Sequence, residues 1–278
     1  MDPSPATKLE DHVIDFFDRV APTYDAWAEG LNRKVAARLV ELAAPRAGQH
    51  VLDVGSGSGL VAHLVAQRVG ARGQVIGIDL SQKMLAQSRR HARRNTTFLV
   101  MAAEELVFRA GSFDLVTMGQ VLTYLSDPAQ ALVEAHRVLR PEGELAVSCH
   151  RRSLSTEAQD LFFKGLLQLA RRHHLSLPRH SDERARFGER DTLPGMLEQA
   201  GFRTRQLADL VTGGRARTPR EWTQLMSGLG PLPHTLLRVL GPRLRAELEE
   251  DLAEAMQELG EESFRYHHAF LFAVASRA

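Results

Sequence analysis

The chain is predicted to fold as an α/β protein, a parallel sheet with helices on both faces. Three observations carry this. Between residues 50 and 150, short apolar runs alternate with amphipathic stretches. The runs are near-continuously apolar and partly β-branched, as strands buried on both faces are. The first run, His50 to Val54, ends in a glycine cluster that passes directly into a helical pattern.

The elements follow in order. Leu60, Val61, Leu64, Val65 and Val69 have the 3–4 spacing of a buried helix face, so a helix is expected over 60–69. Gln74 to Asp79 reads as a second strand. Ser81 can cap the next helix with its side-chain oxygen, and that helix is expected to run to Arg94. Thr97–Met101, Phe113–Met118 and Glu144–Cys149 are further strands. Pro128 opens a helix ending near Leu139, and Pro141-Glu142-Gly143 reads as a turn. Beyond residue 150 an amphipathic helix is expected over 155–172, another over Thr192–Ala200, and a strand over Phe202–Val211. Helices punctuated by Gly and Pro follow over Pro219–Leu259, with Gly260 as a stop, and Tyr266–Ser276 closes the chain as an apolar strand.

Composition excludes several classes. The 278 residues are 44% hydrophobic and 25% charged, which excludes a mainly disordered or collagen-like chain. No apolar run approaches the roughly 18 residues of a membrane-spanning helix, so no stable membrane insertion is expected. The polar, acidic N-terminus is unlike a secretory signal, and the expected location is cytoplasmic. With Cys149 alone, no intramolecular disulfide or cysteine-based zinc site can form, and no Asp-Glu-His cluster at ligand spacing points to a metal. A formal net charge of +1 gives no global steering toward nucleic acid. The basic run Arg89 to Arg94 sits where cations complement a helix end.

The segment Val51-Leu52-Asp53-Val54-Gly55-Ser56-Gly57-Ser58-Gly59 carries the chemistry. Glycines after a strand let a ligand approach the backbone closely, and the following helix presents free N–H groups. Asp79, ending the second strand, stands where a carboxylate can accept from ribose hydroxyls. A dinucleotide site uses G-x-G-x-x-G, whereas Leu60 holds the third glycine's position here. Asp53 would oppose a pyrophosphate but favour an ammonium or sulfonium, so S-adenosylmethionine is selected over NAD.

The ordered segments D-V-G-S-G-S-G, G-I-D-L-S, F-D-L-V and V-L-R-P-E-G-E-L resemble the motifs of class I S-adenosylmethionine-dependent methyltransferases. Phe17-Asp18-Arg19-Val20-Ala21-Pro22-Thr23-Tyr24-Asp25 resembles the ubiquinone/menaquinone biosynthesis C-methyltransferase branch. The resemblance implies a Rossmann-like seven-stranded sheet in the order 3-2-1-4-5-7-6, with strand 7 antiparallel. It implies one domain over 1–278, an N-terminal helical lid over 1–30, and helical insertions over 150–191 and 212–265 at the active edge. These insertions either shape an apolar acceptor pocket or serve stability or homodimerisation.

By the same resemblance, Gly55, Ser56 and Gly57 would meet the methionine portion and Asp53 its amino group. Asp79 would hold the ribose, and Leu80 and Met84 would pack on adenine. Tyr24 would contact the cofactor, and Gly119 and Gln120 would face the methyl group. Ala102 stands where the family has an adenine-binding Asp, within Met101-Ala102-Ala103-Glu104, which leaves backbone groups near Ala103, Glu104, or water to read adenine. Base candidates are His150 and His267 or His268, whose imidazoles suit the role. Tyr124, where relatives have histidine, either orients a phenol or carbonyl or fills the pocket wall. The expected reaction is in-line methyl transfer to carbon or oxygen of a small lipophilic or aromatic metabolite. A non-methylating cyclase or decarboxylase on this scaffold, and an NAD(P)-dependent oxidoreductase, are the other readings.

Overall fold

The computed structural model describes residues 5–25, 27–151, 156–174, 187–227, 231–259 and 265–277. Residues 1–4 and 26 of the expected lid, 152–155 and 175–186 of the first expected insertion, and 228–230 and 260–264 of the second, Gly260 among them, lie outside the described residues. The elements are α1 (Pro5–Val20), α2 (Trp27–Ala43), β1 (His50–Val54), α3 (Leu60–Val69), β2 (Gln74–Asp79), α4 (Gln82–Arg90), β3 (Thr96–Val100) and β4 (Phe113–Gly119). They continue as α5 (Pro128–Val138), β5 (Leu139–His150), α6 (Glu157–Arg172), α7 (Leu193–Gln199), β6 (Phe202–Arg215), α8 (Pro219–Ser227), α9 (Pro231–Leu259) and β7 (Arg265–Arg277).

Seven strands form one sheet in the order β3-β2-β1-β4-β5-β7-β6. The pairings β1–β2, β1–β4, β2–β3 and β4–β5 are parallel, and β7 runs antiparallel to β5. The predicted topology is the observed one. Alternate residues along each strand feed two apolar layers. Leu52, Val54, Val116 and Val147 pack with Leu132 and Ala135 of α5, while Val51, Leu115 and Ala146 pack with Leu39 of α2 and Val65 of α3. Both faces are therefore covered, which explains why the strands read as continuous apolar runs.

Several predicted boundaries move, two of them for a visible local reason. The α4 helix ends at Arg90 rather than Arg94. Asn95 Nδ2 donates to the carbonyls of Ala66 and Gly70 at the end of α3, and Thr96 closes a turn with Arg93, which draws the chain off the helical path. The turn at Pro141-Glu142-Gly143 lies inside β5 as an irregularity. Phe113 pairs with Leu139 and Leu115 with Glu144, and Glu142 takes φ 62°. The strand predicted to end at Val211 continues to Arg215.

Contacts divide the chain into two compact units. The first comprises Met1–His150, Arg184–Leu210 and Phe270–Ala278; the second comprises Arg151–Glu183 and Val211–Ala269. The apolar stripes of α6, α8 and α9 meet one another in the second unit, burying Phe162, Leu166, Trp222, Met226, Leu248 and Leu252 in a core of their own. Thr156 and Gln159 form a capping box on α6, and Gln159 Nε2 donates to the carbonyl of His267 at 3.1 Å. Gly241, at φ 68°, with Pro242 beside it, breaks α9. Among the described residues, no helix is long and apolar enough to cross a membrane.

Candidate active site

The carboxyl ends of β1, β2 and β4, all in the first unit, border two adjoining cavities. Between β1 and α3 the chain turns through Gly55, Gly57 and Gly59, all at positive φ. A Cβ on Gly55 would lie 2.3 Å from Val121 Cγ2, so both conformation and space require glycine there. Gly77 on β2 leaves room for Ser56, since a Cβ there would stand 2.8 Å from Ser56 Oγ.

Asp79 closes β2 with both oxygens engaged. Oδ2 accepts from the Gly57 N–H at 2.9 Å and Oδ1 from the Ser81 N–H at 2.8 Å. Burial raises its pKa and these backbone bonds oppose the rise. Asp79 thereby ties the glycine loop to the turn before α4 and faces the first cavity, where Leu80, Met84, Met101 and Ala103 supply apolar surface. Glu104 lines this cavity too, but its Oε1 accepts from Ser126 N–H (3.0 Å), Ser126 Oγ (2.8 Å) and Asp127 N–H (3.1 Å). Part of its carboxylate is therefore used to hold the turn that follows Tyr124.

The second cavity is differently prepared. Asp53 pairs in register with Thr117 on β4, and Thr117 Oγ1 donates to Asp53 Oδ1 at 2.6 Å. Asp53 Oδ2 is buried with no hydrogen-bond partner, as are Ser56 Oγ, Gln120 Nε2 and Ser148 Oγ. All four residues line this cavity. Desolvation lifts the Asp53 pKa to about 7, against the hydrogen bond from Thr117. Gln120 sits at φ 59°, held by its N–H donating to the Ser148 carbonyl at 2.9 Å. Four unsatisfied buried polar atoms in one cavity are costly without a ligand that pairs with them. An acid beside several potential donors matches the ammonium and carboxylate of an amino-acid tail.

The segment from Val13 to Tyr24 forms the facing wall. Val13, Ile14 and Phe17 of α1 line the first cavity, and Tyr24 lines both. Phe17 meets Tyr124 edge-on at 5.1 Å and Tyr24 at 6.1 Å. Asp18 Oδ1 accepts from Ser81 Oγ, and Asp25 Oδ1 from Ser58 Oγ, each at 2.5 Å.

The fold thus brings together at these cavities Tyr24, Asp53, Gly55, Ser56, Gly57, Asp79, Leu80, Met84, Ala103, Glu104, Gly119, Gln120 and Tyr124. It does not bring His150 to either cavity; that ring stacks edge-on against Phe270 at 5.4 Å, its antiparallel partner. His267 belongs to the second unit, exposed, with its N–H donating to Gln159 Oε1. Burial pushes the Tyr124 hydroxyl up to about 12 and also raises that of Tyr24, so both phenols stay protonated. Sequence reasoning missed Asp18, Asp25, Thr117 and Ser148. The last two carried a signal: each is a polar residue inside an apolar strand run, which burial tolerates when a partner exists.

The chain matches the methyltransferase domain family over residues 52–147. It is 31% identical over 229 residues to the ubiquinone/menaquinone biosynthesis C-methyltransferase UbiE of Hahella chejuensis, covering 75% of this chain and 90% of that one. It is 36% identical to the nocamycin O-methyltransferase of Saccharothrix syringae over 48% of this chain and 49% of that one. Among solved structures it resembles the [4+2]-cyclase SpnF, with a TM-score of 0.56 and 19% identity, covering 95% of this chain and 94% of that one. That likeness concerns the fold alone.

Proposed function

Because the chain belongs to the class I S-adenosylmethionine-dependent methyltransferases, in the UbiE-like branch, we propose that it transfers a methyl group to carbon or oxygen of a small lipophilic or aromatic metabolite. The observation that carries the cofactor side is Asp53 Oδ2, buried and unpartnered in a cavity shared with Ser56, Gln120 and Ser148. An anion at that place repels a pyrophosphate and attracts an ammonium, which favours S-adenosylmethionine over a dinucleotide.

S-adenosylmethionine supplies the electrophilic methyl; the chain's own residues hold, align and enclose. Asp53 would accept from the amino group, and Ser56, Gln120 and Ser148 would pair with the rest of the amino-acid tail. Asp79 has lone pairs left to accept from ribose hydroxyls after its two backbone bonds. Leu80, Met84, Met101 and Ala103 would flank the adenine. Gly119 and Gln120 stand where the two cavities adjoin, so that their backbone would border the transferred group.

For the acceptor, the support is the wall of Val13, Ile14, Phe17, Tyr124 and Leu125, which offers apolar and aromatic surface. Tyr124, protonated at neutral pH, can donate a hydrogen bond to a carbonyl or phenolate oxygen and so orient an in-line attack. The reading includes a small-molecule acceptor rather than nucleic acid, and a cytoplasmic enzyme. Calorimetry with S-adenosylhomocysteine and NADH side by side tests the cofactor, and tighter NADH binding would overturn it. Tritium transfer from labelled methyl donor into a metabolite extract tests the reaction. Homocysteine-analogue binding without any transfer would point instead to a non-methylating activity.

A further inference from the structure

The wall from Val13 to Tyr24 and the loops that follow β1 and β2 line the same cavities. Besides the aromatic contact of Phe17 with Tyr124 and the contacts of Lys83 with Asp18, two carboxylate–hydroxyl bonds join them. Asp18 accepts from Ser81, two residues after Asp79, and Asp25 accepts from Ser58, inside the glycine loop. Both serines are buried, at 2% and 6% exposure, while the aspartates stand at the rim beside Lys83 and Arg33. Bonds of 2.5 Å from hydroxyl to carboxylate are of the charge-assisted, stronger kind. Each therefore fastens the wall to one of the two loops proposed to hold the cofactor.

We propose that Asp18 and Asp25 are positioning residues, a pair of latches that keep the 13–25 wall closed and set how fast S-adenosylhomocysteine leaves. This rests on the cofactor reading given above. Closure is an equilibrium: losing a latch lowers the closed fraction, and apparent affinity falls with it. Ser81 is the poorer residue to alter, because its Oγ also accepts from the Met84 N–H and caps α4.

The test is stopped-flow release of S-adenosylhomocysteine from the full chain and from Asp18→Ala, Asp25→Ala and Asp18→Asn. Each alanine variant is expected to release the product roughly tenfold faster. Asp18→Asn keeps an acceptor oxygen for Ser81 but loses the charge, so its release rate is expected to fall between those of the parent and Asp18→Ala. With the methyl acceptor saturating and the donor varied, the alanine variants should raise the KM for the donor without lowering kcat. A residue of merely structural importance would lower kcat as well. Should the alanine variants fail to fold, hydrogen exchange on the unaltered chain decides. Amides of residues 13–25 should then gain protection on adding S-adenosylhomocysteine, and unchanged exchange would overturn the latch. Parent-like release from both alanine variants overturns it equally, whereas a parent chain that binds no S-adenosylhomocysteine overturns the cofactor reading beneath it.

Discussion

In the cavity bounded by Asp79, Leu80, Met84 and Tyr124, carboxylates are already at work within the protein. Asp79 accepts from the N–H groups of Gly57 and Ser81, and Glu104 holds Ser126 and Asp127. In the adjoining cavity Asp53 Oδ2, Ser56 Oγ, Gln120 Nε2 and Ser148 Oγ are buried without partners. The first is shaped before any ligand arrives. The second carries a desolvation cost that a charged ligand would relieve. Substitutions on the first side should therefore damage the site's shape, and those on the second should alter ligand and pH response while sparing the fold.

The largest effect should come from Gly55, which borders both cavities. Gly55→Ala places a methyl 2.3 Å from Val121 Cγ2 at φ 65°. Calorimetry should find S-adenosylhomocysteine affinity reduced by 100-fold or more, roughly the effect of ~3 kcal/mol of strain. Near-parent affinity would show that the glycine loop lies off the ligand. Asp79→Ala should come next, with a loss of about 1–3 kcal/mol, because it orphans the Gly57 and Ser81 N–H groups as well as any ribose contact. Its melting temperature should fall too, in keeping with a carboxylate that already holds structure.

Asp53 separates the two sides by pH. Its folded pKa, near 7, lies above its ordinary value, so the unliganded fold binds the extra proton and loses stability as pH rises through roughly 4 to 7. Pairing with an ammonium reverses this preference and releases the proton. Affinity for S-adenosylhomocysteine should therefore rise between pH 5 and 7, by up to about tenfold per unit, and level off above. Asp53→Asn should flatten that profile. Thr117→Val removes a bond that lowers the Asp53 pKa and should move the profile to higher pH. A profile unchanged in both variants would remove Asp53 from the ligand contact.

The parts of the site legible in the sequence are those fixed by neighbours along the chain. The glycine loop, Asp53, Asp79 and the 119–120 turn each sit at a strand end, so identifying the strands placed them. The strand order required the family resemblance, because periodicity reports burial and not which strand lies beside which. Asp18 with Ser81 and Asp25 with Ser58 were hidden for a related reason: each pair is 63 or 33 residues apart, and no local pattern links its members. How the helices beyond residue 150 pack was not legible, since an apolar stripe shows that a helix needs a partner without saying which. Those stripes found each other.

Ser148 gives the smallest effect and the clearest contrast of sign. It is fully buried at the end of β5, paired in register with Gly119, and its hydroxyl has no partner. Deleting an unsatisfied hydroxyl removes a burial cost, so Ser148→Ala should leave the unliganded protein as stable or up to ~1 kcal/mol more stable. If that hydroxyl pairs with the amino-acid tail, affinity for S-adenosylhomocysteine should at the same time drop about threefold to tenfold. Thermal unfolding with and without ligand reads both quantities from one preparation. The ligand-free curve should hold or rise while the ligand-induced shift shrinks. A variant less stable without ligand and equal to the parent in affinity would mean that Ser148 serves the sheet, and the second cavity would lose one of its four ligand-directed groups.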